Sequence, residues 1–222
     1  MSATLPRRLS AVIFDLDGVL TDTATAHYRA WKRLADELGI PFDEADNAAL
    51  KGIDRMGSLA LILAKDRGRT HDEAARAAYA ARKNGWYVDE IARFGPGDLF
   101  AGAAESLRAI RAAGLRTGLA SASRNAPALI DRLGIAGLFD VVVDPASLAA
   151  GKPAPDIFLA AAAAIGADPA DCLGVEDAAA GIAAIRAAGM TALGIGTPAE
   201  LPGADRVIPH IGAFRLDDYH AR

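Results

Sequence analysis

One cysteine, Cys172, is all that this chain of 222 residues holds, which rules out an internal disulfide and leaves a thiolate zinc site without ligands. It opens the apolar stretch Cys172-Leu173-Gly174-Val175 and reads as core packing. Long apolar runs are missing too. Much of the 52% hydrophobic content is alanine, and no window reaches the roughly 20 strongly apolar residues that span a bilayer. No apolar leader precedes Ala11, so the expectation is a cytoplasmic protein with no membrane contact. Nor is there an excess of positive charge: the net charge is −4, and general attraction to nucleic acid is not expected. Charged residues make up 23% of the chain, a globular rather than a disordered composition. Their distribution is uneven, +1 over residues 24–96 and −5 over the remainder. That division suits a phosphate on one side and a metal on the other.

What is present early is an acidic turn, Asp15-Leu16-Asp17-Gly18, entered from the apolar run Ala11-Val12-Ile13-Phe14. Carboxylates at the end of a buried strand are costly to desolvate unless a metal, a hydrogen bond or a substrate compensates them. Two residues apart, Asp15 and Asp17 project the same way if the strand continues, and Gly18 lets the backbone turn. Taken alone, the motif also fits an ordinary solvated turn.

From residue 102 onward, helix-like and strand-like segments alternate, the pattern of βα units on a parallel sheet. Strands are expected at 115–120, 140–143, 172–175, 191–195 and 206–208, with helices at 102–113, 126–133, 156–165 and 181–188. Glycines follow these helices as left-handed stops. Residues 24–38, 59–64 and 72–89 read as helices with no strand between them. The fold class expected is therefore α/β: a Rossmann-like parallel sheet core, residues 1–22 and 98–222, with an inserted all-helical cap domain at 23–97. The cap would stand over the carboxyl end of the first strand, where open α/β sheets bind ligands.

Four groups then fall just after expected strands: Asp15 with Asp17, Ser121, Lys152, and Glu176 with Asp177. On parallel strands all four converge on one edge of the sheet. Carboxylates gathered in one cleft repel one another unless a hard divalent cation sits among them, and Mg²⁺ prefers such oxygen ligands. A lysine and a hydroxyl in the same cleft would hold phosphate oxygens. Asp15 would attack phosphorus to form an aspartyl phosphate, and Asp17 would protonate the leaving oxygen and later deprotonate the next nucleophile.

These residues, in this order and spacing, resemble the haloacid dehalogenase superfamily over nearly the whole chain. Within it the resemblance is to sugar-phosphate mutases, through Asp15 to Thr23, His27 to Trp31, Leu50 to Ile53 with Arg55 and Ser58, Arg82 to Asn84, Ser121 to Asn125, and Lys152 to Asp156. It implies Asp15 as nucleophile and Asp17 as general acid and base. Mg²⁺ would be held by the Asp15 carboxylate, the Asp17 main-chain carbonyl, Glu176 and Asp177. Ser121, Asn125 and Lys152 would grip the transferring phosphoryl group and Arg55 a second phosphate. Lys51, Gly52, Ile53 and Ser58 would shape the sugar site, and His27 with Lys83 would couple cap closure to Asp17. Thr23, Trp31, Ala122, Ser123 and Arg124 lie in the matching segments and complete the binding set. Arg124 stands where lysine is familiar, Ala178 stands where serine is familiar, and residues 66–81 show little resemblance.

The activity so implied is the interconversion of β-D-glucose 1-phosphate and glucose 6-phosphate through β-glucose 1,6-bisphosphate. The alternative is a sugar-phosphate phosphatase using the same nucleophile, with water as acceptor. The expected partners are small-molecule sugar phosphates, and the chain is expected to act as a monomer. His71, His210 and His220 carry no pattern and read as surface, while His27 and Arg55 taken singly would fit a packed interface histidine and a solvated charge.

Overall fold

In the computed structural model, residues 8–67 and 69–219 are described; His220 lies outside them. The chain opens with β1 (Ala11–Phe14) and closes its sheet with β2 (Arg116–Leu119), β3 (Val141–Val142), β4 (Cys172–Glu176), β5 (Thr191–Ile195) and β6 (Arg206–Ile208). All six strands are parallel, in the order β3-β2-β1-β4-β5-β6. The direction of winding reverses at β1, so the carboxyl ends of β1, β2 and β4 frame a crevice.

Alternation along β1 shows how the two faces are filled. Val12 and Phe14 enter a cluster with Leu107, Ile110, Leu129 and Ile130, from α5 (Ala103–Ala112) and α6 (Ala126–Arg132). Ala11 and Ile13 enter another with Phe158, Ala161, Ile182 and Ile185, from α7 (Asp156–Ile165) and α8 (Ala179–Ala187). Each fully buried Leu, Ile or Phe contributes about 1.5–3 kcal/mol relative to exposure, so both faces press the strands into place.

Between β1 and β2 stand α1 (Ala24–Leu38), α2 (Glu44–Ala48), α3 (Arg55–Leu63) and α4 (Glu73–Ile91). They pack around Trp31, Leu34, Phe42, Leu59, Ile62 and Ala80. Where the chain leaves and re-enters the sheet the two crossings are tied together. The Thr21 hydroxyl donates to the Asp98 carbonyl at 2.7 Å, and the Phe100 N–H donates to the Leu20 carbonyl at 2.9 Å.

Several boundaries differ from expectation. The helix α2 was not expected, because five residues carry no apolar period; its signal is the reciprocal capping of Asp43 and Asp46. The helix expected from residue 59 begins at Arg55, because the Asp54 carboxylate accepts from the N–H groups of Met56 and Gly57 and starts it a turn early. The strand expected over 140–143 contracts to Val141–Val142, an edge strand paired only with Gly118 and Leu119. His71, expected on the surface, places Nε2 2.9 Å from Asp66 Oδ2, with both side chains under a tenth exposed. Among the described residues, no helix is long and apolar enough to cross a membrane.

Candidate active site

The Asp15 N–H donates to the Val175 carbonyl at 2.9 Å, so the first acidic residue after β1 is pinned to β4 by the sheet itself. The chain then reverses through Leu16 to Thr21. Gly18 takes φ +78° there, and a Cβ on it would lie 1.8 Å from Asp177 Oδ2. Only glycine permits both the conformation and the approach.

Lys152 is the hub of the buried charges. Its Nζ donates to Asp15 Oδ1 at 2.6 Å and to Glu176 Oε2 at 2.7 Å. Burial opposes the ammonium, yet Asp15 and Glu176 outweigh it and hold its pKa above the ordinary lysine range. Glu176, on β4, is fully buried. Its Oε1 accepts from the N–H groups of Asp177 and Ala178 at 3.0 and 3.1 Å. Burial pushes its carboxyl up to about 8 against the pull of Lys152. Asp177 is also raised, by burial and then by Asp15.

Carboxylate oxygens of Asp15, Glu176 and Asp177 all lie within 4.8 Å of one another. An all-oxygen donor set is what a hard divalent cation takes, and Glu176 and Asp177 are raised first by burial and further by neighbouring carboxylates, whose repulsion such a cation relieves. The residues therefore fit a divalent metal. Glu176 already spends both oxygens on Lys152 and on backbone N–H groups, leaving Asp15 and Asp177 the less committed ligands.

Asp17 accepts a hydrogen bond from the Thr23 hydroxyl. Burial, followed by the charge of Asp15, raises its carboxyl to about 7, with Thr23 pulling the other way. It is thus poised to give or take a proton near neutrality.

Opposite this acidic edge, α3 and α4 supply cations, Arg55 and Lys83, with α1 packed beside them. Lys83 is buried, with Nζ 2.8 Å from His27 Nδ1, 4.5 Å from the Trp31 ring centroid and 4.7 Å from that of Tyr87. Burial and the nearby Arg55 bring Lys83 down from 10.5 to about 7. Burial and Lys83 hold His27 well below its ordinary value, so its neutral ring accepts at Nδ1 from the Lys83 ammonium. Arg55 is lowered by burial and by Arg124. Neither arginine has an ion-pair partner among the described residues. Two uncompensated guanidiniums, one from each side of the cleft, are an anion site by their chemistry.

The two walls enclose a cavity of about 860 Å³. Every residue expected at the site lines it except Ser121 and Glu176, which sit just behind. Ser121 Oγ accepts from the Ser123 N–H at 3.2 Å. Lys51, expected to shape the sugar site, also reaches across to the core and sets its ammonium 2.8 Å from Asp177 Oδ2. Asn125 Nδ2 donates to Asn84 Oδ1 at 2.8 Å, a further bridge between the walls. Tyr87 escaped the sequence reading. Its ring lies 4.1 Å from that of His27, and its buried hydroxyl has no hydrogen-bond partner of good geometry among the described residues, although Thr23 and Ser123 lie beside it. Its one sequence signal is its place a helical turn after Lys83.

A family model for haloacid dehalogenase-like hydrolases matches residues 9–189. The β-phosphoglucomutase of Bacillus subtilis is 46% identical over 213 residues, 96% of this chain and 94% of that protein. The fructose-1-phosphate phosphatase of Escherichia coli is 31% identical over 85% of this chain and 97% of its own. Among solved structures, a β-phosphoglucomutase from Clostridium difficile superposes with a TM-score of 0.92 at 38% identity, covering 95% of each chain.

Proposed function

The chain belongs to the haloacid dehalogenase-like hydrolase family, and we propose that it interconverts β-D-glucose 1-phosphate and glucose 6-phosphate by way of a phosphorylated Asp15 and bound β-glucose 1,6-bisphosphate. The observation that carries the reading is the pair Arg55 and Arg124, near enough that Arg124 lowers the Arg55 pKa, both lining the same cavity as Asp15 and without ion-pair partners among the described residues. A substrate with one phosphate at Asp15 leaves them idle. A bisphosphate uses both ends of the cleft.

In the first half-reaction Asp17 takes the proton from the 6-hydroxyl of β-glucose 1-phosphate as that oxygen attacks the phosphoryl group on Asp15. The bond from phosphorus to the Asp15 oxygen breaks, giving the bisphosphate. After the bisphosphate has turned around in the cavity, the freed Asp15 carboxylate attacks the phosphorus at C1. The bond from phosphorus to the C1 oxygen breaks, and Asp17 returns its proton to that departing oxygen, which releases glucose 6-phosphate and restores phosphorylated Asp15. A carboxyl near 7 serves both directions. Lys152 holds Asp15 for in-line attack, and Ser121 and Asn125 orient phosphoryl oxygens at the carboxyl end of β2. Bound to Asp15, Asp177, the Asp17 carbonyl and Glu176, Mg²⁺ would neutralise charge on the transferring group. The Lys83–His27 pair, on the cap side, couples closure to Asp17 and helps exclude water.

Hydrolysis is the second reading, favoured by the likeness to a sugar-phosphate phosphatase. Incubation with Mg²⁺, β-glucose 1-phosphate and a trace of the bisphosphate separates the two. Glucose 6-phosphate should accumulate with little free phosphate; stoichiometric phosphate without the isomer would reverse the assignment.

A further inference from the structure

Asp54 lies between two residues already placed at the site, Ile53 and Arg55, and has a feature that helix capping leaves unexplained. Its Oδ1 accepts from the N–H groups of Met56 and Gly57, at 2.8 and 3.1 Å. Serine, threonine or asparagine would cap α3 about as well, so capping does not require a carboxylate. The second oxygen, Oδ2, has no hydrogen-bond or ion-pair partner among the described residues, although Arg55 is its neighbour in sequence. It lies over the core loop that delivers Lys152: a Cβ on Gly151 would come 3.1 Å from it. Asp54 and Gly151 both line the cavity.

We propose that Asp54 is a specificity-determining residue whose Oδ2 accepts a hydrogen bond from a hydroxyl of the bound sugar. The inference rests on the sugar-phosphate reading above and adds to it the recognition of the uncharged part of the substrate. Around Asp54, Lys51, Arg55 and Lys83 on this wall and Arg124 on the other supply positive charge for phosphates. A carboxylate repels a phosphate dianion, so the ligand it suits is a neutral donor, and a hydrogen bond to an ionised acceptor is short and strong. The two backbone N–H groups fix the carboxylate before the substrate arrives, which reduces the ordering cost of binding. Gly151, lacking a side chain, leaves the space through which the cap oxygen meets substrate beside the core loop.

The test compares wild type with Asp54→Ser, which keeps a capping acceptor and removes Oδ2. kcat and KM are measured for β-glucose 1-phosphate and its monodeoxy analogues, and Asp15 phosphorylation is measured with acetyl phosphate, which has no hydroxyl. Removing an acceptor built for a hydroxyl should lower kcat/KM for the sugar about tenfold or more relative to the acetyl phosphate rate, chiefly through KM. For one deoxy analogue the wild type and the variant should become equal, which identifies the hydroxyl. A parallel fall on sugar and acetyl phosphate, or an unchanged ratio, overturns the proposal. If wild type releases phosphate instead of the isomer, the mutase reading falls, and the same comparison made on hydrolysis still decides the role of Asp54.

Discussion

In the core, Lys152 is buried against two carboxylates at 2.6 and 2.7 Å, and its ammonium is held charged. In the cap, Lys83 is as deeply buried, but its nearest polar partner is a neutral imidazole, and its pKa falls to about 7. The same side chain thus behaves oppositely at two places in one cavity, because one has anions to pair with and the other, also desolvated, has Arg55 nearby. In the core the Lys152 ammonium keeps its charge because Asp15 and Glu176 pair with it. The cap keeps cations partly uncompensated, which favours the arrival of anionic substrate as a source of pairing.

The sharpest break of this contrast is at Asp15. Asp15→Asn keeps the shape and removes the proposed nucleophile, and phosphoryl transfer to the enzyme and isomer formation should both fall by about four orders of magnitude. Substantial turnover by the variant, followed with a coupled assay, would mean that the paired core is scaffolding rather than chemistry. Next comes Lys152→Met, which leaves Asp15 and Glu176 buried without their cation. Stability in urea should drop by about 3–5 kcal/mol, and a loss below 1 kcal/mol would show that the pair is not held as tightly as its distances indicate.

Arg55→Ala tests the cap side. Losing one charge-assisted contact to the second phosphate should cost mutase kcat/KM about 10- to 100-fold, with a much smaller effect on hydrolysis of a small monophosphate ester. Equal losses on both substrates would remove the argument from the two arginines. The smallest effect concerns Lys83. Its folded pKa is depressed, so between about 7 and 10.5 the unfolded chain binds more protons than the folded one and stability rises with pH. The contribution is present above the unfolded value and is lost as pH falls through about 7. Wild type should therefore gain on Lys83→Met by up to about 1.4 kcal/mol per pH unit between pH 7 and 9 in urea unfolding. Parallel curves for the two proteins would show that Lys83 stays charged and that cap and core do not differ in this respect.

How much could be read without coordinates also divides along this line. The core was legible because each functional group follows a strand: Asp15, Ser121 and Glu176 stand at or just beyond strand ends, and a parallel sheet gathers such ends by topology. The cap was harder. Its helices are recognisable, but α2 has no apolar period, and α3 starts where a side-chain cap, not a hydrophobic stripe, places it. Tyr87 and the second oxygen of Asp54 were invisible, because an aromatic on a helix and an aspartate before one have ordinary structural explanations. Lys51 was assigned to the sugar site, but its ion pair with Asp177 depends on how close the cap loop comes to β4.

The sequence by itself determined the order of strands and helices and which carboxylates, hydroxyls and lysine follow the strands of the sheet, because period, glycine stops and residue type are local properties. Only the tertiary structure decided which charges meet. It put one lysine between two carboxylates and another beside a neutral histidine, brought two arginines to line one cavity, and left one oxygen of Asp54 without a partner among the described residues. Pairing and desolvation depend on distances between elements far apart in the chain, and those distances fix whether a buried group is charged, neutral or waiting for substrate.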